Sequence, residues 1–156
     1  MPVAMTLQKH LAELGIEYDV LMHPKTLTSQ ETAQQSHVPG DRIAKGVLLK
    51  DERGYLLAVV PATHHVRLGE LREKTGRRLG LATEAEVAAR FKDCEVGAIP
   101  PIGAAYGLPA ILDDSVVGQA DVYFEGGDHV NLVRVTGAQF EKLMANAERG
   151  RFSRHD

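Results

Sequence analysis

The sequence predicts an α+β fold with a mixed sheet. Three observations point to the mixture of helix and strand. Leu7, Leu11 and Leu14 recur at i, i+4 and i+7, the spacing of an amphipathic helix. Two β-rich runs, 42–50 and 55–61, flank DERG, the pattern of a hairpin. Helix-opening pairs, Thr83–x–x–Glu86 and Thr136–x–x–Gln139, punctuate further β-rich runs.

Taken in order, residues 3–14 read as the first helix, which Gly15 can end, and EYDVL (17–21) as a short strand. HPKTLTSQETAQQS turns at Pro24 and starts a second helix at Thr28–x–x–Glu31, a capping box; HVPGD (37–41) breaks it. The hairpin follows, with DERG as a four-residue turn. Residues 68–75 and 83–90 read as helices. After a Gly/Pro-rich loop come strands near 108–113, 121–125 and 129–135. A last helix opens at Thr136, and its Phe140, Leu143, Met144 and Ala147 can face a core. No internal repeat, low-complexity tract or linker interrupts the chain. Residues 1–156 are therefore expected to form one domain, with a basic tail from about 148.

Composition narrows the class. A chain of 156 residues with 44% hydrophobic and 25% charged residues can bury a sizeable core. No apolar run is long enough to span a membrane, and no signal-peptide core opens the chain. The one cysteine, Cys94, rules out an internal disulfide, so a cytoplasmic location is expected. A net charge of −3 argues against a general nucleic-acid coat, though not against an enzyme that grips only an RNA end. Arg72, Lys74, Arg77 and Arg78, and the tail residues Arg149, Arg151 and Arg154, read either as solvated charge on a helix and a frayed terminus or as an RNA footprint.

Few residues are candidates for chemistry. Lys45 shares one strand face with Ile43, Val47 and Leu49, so it either snorkels to water or projects into a polar cavity. His129 would share a strand face with Asn131, Val133 and Val135, as a capped strand end or at a pocket rim. The segment VGAIPPIGAAYGLP (96–109) is either a connector or a rigid wall that presents backbone groups to a ligand. Gly97, Gly103 and Gly107 widen its backbone choices, while Pro100 and Pro101 remove two successive donors. Cys94 reads as a buried, inert thiol or a nucleophile. The scattered histidines show no metal-ligand spacing, and no metal or cofactor is expected.

Five stretches in order, spanning Leu7 to Met144, resemble the YbaK/prolyl-tRNA editing-domain family. They are HP (23–24) followed by TSQE, RIAKGVLLK, LLAVVPA, VGAIPPIG with GLPAILD, and VYFEGGDHVNLVRV. The family's lysine falls on Lys45, and its G-x-x-x-P loop on Gly97 to Pro101.

The resemblance implies a mixed, curved, barrel-like sheet with helices around it, and an aminoacyl-tRNA deacylase acting in trans, usually on tRNA(Pro), through the tRNA's own ribose hydroxyls and bound water. Lys45 and His129 become the catalytic residues. His23, Gly46, Gly97, Ala98, Ile99, Pro100, Pro101 and Gly103 become substrate-binding positions. The partners implied are the acceptor end of aminoacyl-tRNA and a prolyl-tRNA synthetase, with no DNA and no membrane. Two departures shift the expected substrate. Gly46 stands where cysteine-specific relatives tend to carry threonine, and GGDHVN replaces their basic GGKRG-like turn. His129 resembles the pocket histidine of the synthetase insert and of alanine-specific relatives, so a small amino acid is expected, alanine first, with serine, threonine and 2-aminobutyrate open. Two other classes stay open: a non-catalytic domain that binds tRNA ends or nucleotides, and a cysteine hydrolase pairing Cys94 with His129.

Overall fold

The computed structural model describes residues 3–26 and 28–156. Leu7 and Leu11 form the apolar stripe of α1 (Met5–Glu13), and both are fully buried. Gly15, at φ +66°, turns the chain out of α1 toward β1 (Asp19–Met22). Thr28 opens α2 (Ser29–Ser36) by accepting the Glu31 N–H, while Leu27 lies outside the described residues. His37 ends the helix in the left-handed region.

The hairpin pairs β2 (Ala44–Asp51) with β3 (Gly54–Pro61) in unbroken register from Ala44↔Pro61 to Asp51↔Gly54. DERG therefore closes on a pair, and only Glu52 and Arg53 protrude. Arg77 holds the Asp51 carboxylate through two hydrogen bonds of 2.7 Å, which keep that carboxyl down at about 2. After β4 (His64–Val66) come α3 (Leu68–Thr75), β5 (Gly80–Leu81) and α4 (Glu84–Arg90), with the reciprocal Thr83–Glu86 capping box formed. The chain finishes with β6 (Ala110–Asp113), β7 (Asp121–Glu125), β8 (Asn131–Thr136), α5 (Gly137–Leu143), β9 (Glu148–Gly150) and β10 (Ser153–His155).

The architecture is α+β with a mixed sheet. Five strands run in the order β5-β2-β3-β6-β9, with β3-β6 and β6-β9 parallel and the other pairs antiparallel. The described strands fall into three sheets. The second is β1-β8-β7, the third is β10-β4, and a parallel bridge from Ile43 to Tyr123 links the second to the first. β3 is covered on both faces. Val59 packs with Leu7, Phe124 and Phe140, whereas Ala58 and Val60 pack with Leu49, Leu71 and Phe152.

Two expectations change. The tail is not frayed: Phe152 is fully buried, and Asp113 Oδ1 accepts the N–H groups of Phe152 (2.8 Å) and Ser153 (3.0 Å). His129 lies before β8 in a turn, at φ +61°, so it does not share the Asn131–Val133–Val135 face. Asp128 makes that turn by accepting the Val130 and Asn131 N–H groups.

Candidate functional site

Lys45 is the second residue of β2, a strand in which Ala44, Leu48 and Leu49 are buried. Its ammonium donates to the Ala62 carbonyl at 3.3 Å and borders a cavity of about 480 Å³. Half-burial pulls the Lys45 pKa below the usual lysine range, and the Asp156 carboxylate acts against that fall. Lys45 is therefore half-buried at the edge of the cavity, with its ammonium held by a backbone carbonyl.

Five segments line the cavity, Ala62 after β3 and Val87 of α4 among them. Gly46 and Leu48 of β2 supply one side, Thr28 and Gln30 at the start of α2 a second, and Val96, Gly97 and Ile99 a third. The third side is the Gly/Pro segment. Gly97 takes φ +89°, and Pro100, Pro101, Ile102 and Gly103 are all buried beneath it. A Cβ on Gly103 would lie 2.8 Å from the Leu108 carbonyl oxygen, so this base has no room for a side chain. Ala98 commits its N–H to the Glu95 carbonyl, at 3.1 Å. Gly97 and Ile99 carry no such commitment among the described residues, which leaves their N–H groups as the loop donors beside the cavity.

Of the ten residues predicted for the site, Lys45, Gly46, Gly97 and Ile99 are brought together at the cavity. Ala98, Pro100, Pro101 and Gly103 support its wall from inside. His129 is buried behind the wall; its Nε2 donates to the Val96 carbonyl at 2.8 Å and so pins a lining residue. His23 is buried against Glu125 and does not line the cavity. The sequence reading missed Gln30, Ala62 and Asp156. Asp156 accepts from Gln30 at 2.9 Å and pairs with His65 at 2.7 Å, beside Lys45. Nothing in a basic tail signals that carboxylate.

A cysteine–histidine pair does not form. The Cys94 thiol lies 3.2 Å from the Tyr106 hydroxyl and 3.5 Å from Asp93, and burial pushes it up to about 12, so it is no nucleophile at neutral pH. Among the described residues no group of three or more His, Cys, Asp or Glu is placed to hold a metal ion, and no helix is long and apolar enough to cross a membrane.

The sequence and the fold have relatives. Residues 23–143 match the family described as aminoacyl-tRNA editing domain. The prolyl-tRNA synthetase associated domain-containing protein 1 of Bos taurus is 30% identical over 126 residues, covering 78% of this chain and 71% of the relative. A proline–tRNA ligase of Xanthomonas oryzae is 27% identical over 128 residues; the match covers 80% of this chain but only 22% of that enzyme. A solved structure described as a candidate trans-editing enzyme for prolyl tRNA synthetase superimposes with a TM-score of 0.86 at 28% identity, over 99% of this chain and 98% of the other. With most of its length and its whole fold accounted for in this way, the chain belongs to the aminoacyl-tRNA editing domain family.

Proposed function

We propose that the chain deacylates mischarged tRNA in trans, removing a small amino acid, alanine first, from tRNA(Pro). Lys45 carries the reading: a half-buried ammonium on a sheet strand, beside a cavity with uncommitted backbone donors on another side. An aminoacyl ester is already activated, so hydrolysis needs positioning and charge stabilisation more than a protein nucleophile. Lys45 holds the terminal phosphate or ribose. Water adds to the ester carbonyl carbon, and the N–H groups of Gly97 and Ile99 receive the developing oxyanion. The ester C–O bond then breaks and the ribose oxygen takes a proton, giving free amino acid and tRNA. His129 fixes the wall that limits the amino-acid side chain. The kinship with prolyl-tRNA synthetase relatives supports tRNA(Pro) as the carrier.

The test is a panel of tRNA(Pro) charged with Ala, Cys, Ser, Thr or Pro, scored for release of amino acid. Fastest release of alanine is expected. Release from none would leave a domain that binds tRNA ends without hydrolysing them.

A further inference from the structure

Behind the wall, three segments meet through side chains that the proposed reaction does not use. His23 follows β1, Thr32 lies on α2 and Glu125 ends β7; all three are buried, and the His23 side chain is 1% exposed. Thr32 Oγ1 lies 2.6 Å from Glu125 Oε1, 2.6 Å from Thr26 Oγ1 and 3.1 Å from the Thr28 carbonyl. His23 Nδ1 is 2.8 Å from the Pro24 carbonyl oxygen. A carbonyl only accepts, so Nδ1 carries a hydrogen. The other ring nitrogen, Nε2, faces Glu125 Oε1 at 3.4 Å. Nε2 and Glu125 Oε2 are buried without a hydrogen bond among the described residues.

Hydrogens can be counted at this contact. With Glu125 ionised and His23 neutral, a ring lone pair faces a carboxylate oxygen in a dry interior, and the two repel. One added proton removes the conflict wherever it resides, as a carboxyl O–H donating to Nε2 or as an imidazolium donating to the carboxylate. The groups facing Glu125 are His23, Thr32, and Asp128 and His129 from the turn after β7. Burial, the largest influence, favours the protonated carboxyl; Thr32 and the two histidines oppose it, and Asp128 reinforces it.

The pair is tied to both sides of the site. The His23 N–H donates to the Val130 carbonyl at 2.9 Å and the Thr26 N–H to the His129 carbonyl at 3.4 Å. α2, held through Thr32, presents Thr28 and Gln30 to the cavity. We propose that His23 and Glu125 share one buried proton as a positioning pair, which locks the start of α2 against the His129 turn while the proton is present and releases it when the proton is lost. This regulation rests on the deacylase reading for its consequence, but the proton itself does not. Because Glu125 is raised above its unfolded value, its contribution is complete below that value and is lost as pH rises through the folded one.

The experiment compares wild type with Glu125→Gln, whose amide NH2 can donate to His23 Nε2 and to Thr32 Oγ1 at every pH while the Thr32 hydroxyl gives its hydrogen to the Thr28 carbonyl, and so imitates the protonated pair. Three readouts are followed from about pH 4.5, the unfolded carboxyl value, up to about pH 9: the His23 ring nitrogen resonances, Tm, and KM for alanyl-tRNA(Pro). In wild type, Tm should fall by at least about 3 °C more than in Glu125→Gln across that range. KM should rise about threefold or more in wild type and stay flat in the variant. The wild-type His23 Nε2 resonance should move with the same midpoint as the Tm loss. Parallel Tm profiles in the two proteins, or a His23 ring that does not titrate with Tm, would overturn the proposal. Should wild type release no amino acid from any tRNA, the deacylase reading fails, and the resonances and Tm still decide the shared proton. Should Glu125→Gln not fold, the wild-type resonances and Tm decide it alone.

Discussion

Lys45 and His129 act at different distances from the cavity, and their substitutions should separate accordingly. Lys45→Ala removes a charge at the cavity edge and a bond to the Ala62 carbonyl, while the apolar packing of β2 stays in place. The protein should fold, with kcat/KM for alanyl-tRNA lowered at least tenfold, about 1.4 kcal/mol of lost positioning. A folded Lys45→Ala protein with near-normal turnover would remove the lysine from the mechanism. His129→Ala acts through the wall, because the imidazole holds the Val96 carbonyl. The wall relaxes, so the rate on alanyl-tRNA should fall and the preference should shift toward larger amino acids. Pockets separate neighbouring small side chains by only about 1–3 kcal/mol, which makes the shift readable as a changed ratio of kcat/KM values. Unchanged rate and ratio together would make His129 a turn residue and nothing more. Lys45 was legible from the sequence because a charge interrupts an apolar strand face. The task of His129 was not, because a left-handed turn residue carries no periodic signal.

At the scale of elements, Gly46 decides how closely the Gly/Pro wall approaches β2. A Cβ there would lie 3.1 Å from Leu57 Cδ1 and 3.3 Å from Pro101 Cα. The leucine methyl can turn aside, but the proline backbone belongs to a buried segment. Gly46→Ala should therefore push the wall outward by a few tenths of an ångström and lower kcat/KM several-fold. Tm should change little, since the gain from replacing a strand glycine, about 0.5–1 kcal/mol, offsets the crowding. Wild-type kinetics in Gly46→Ala would show that the wall is not set by this contact. Helix 68–75 and strand 121–125 were readable to the residue because Gly76 ends the helix, and Gly126 with the apolar alternation marks the strand. β4, β5, β9 and β10 were not. Each is two or three residues long, too short to show a period, and each exists only because a distant strand pairs with it. His64–Val66 becomes a strand through Ser153–His155, a pairing between residues almost ninety positions apart.

That last pairing also governs the molecule as a whole. The chain leaves α5 and runs β9 parallel to β6. It then buries Phe152 with Leu49, Leu71 and Ile111, and pairs β10 with β4. One tail thereby seals the second core and carries Asp156 to Gln30 and His65 beside Lys45. The two tasks rest on different residues and can be taken apart. Phe152→Ala empties a fully buried aromatic site, a change that costs about 3–5 kcal/mol, and for a chain of this size Tm should fall by about 6–20 °C. Asp156→Asn keeps an acceptor for Gln30, its amide N–H can donate to His65 Nδ1 in the other ring tautomer, and the negative charge near Lys45 is removed, so Tm should change little. The tRNA phosphates should then meet a more positive site. KM should drop a few-fold at low salt, and the gain should shrink as ionic strength rises. Tm measured for both variants, with KM at two salt concentrations for Asp156→Asn, checks the division. A Phe152→Ala protein as stable as wild type would mean the tail merely rests on the core. A KM in Asp156→Asn that ignores salt would mean the carboxylate, though close to Lys45, does not compete with the substrate for it.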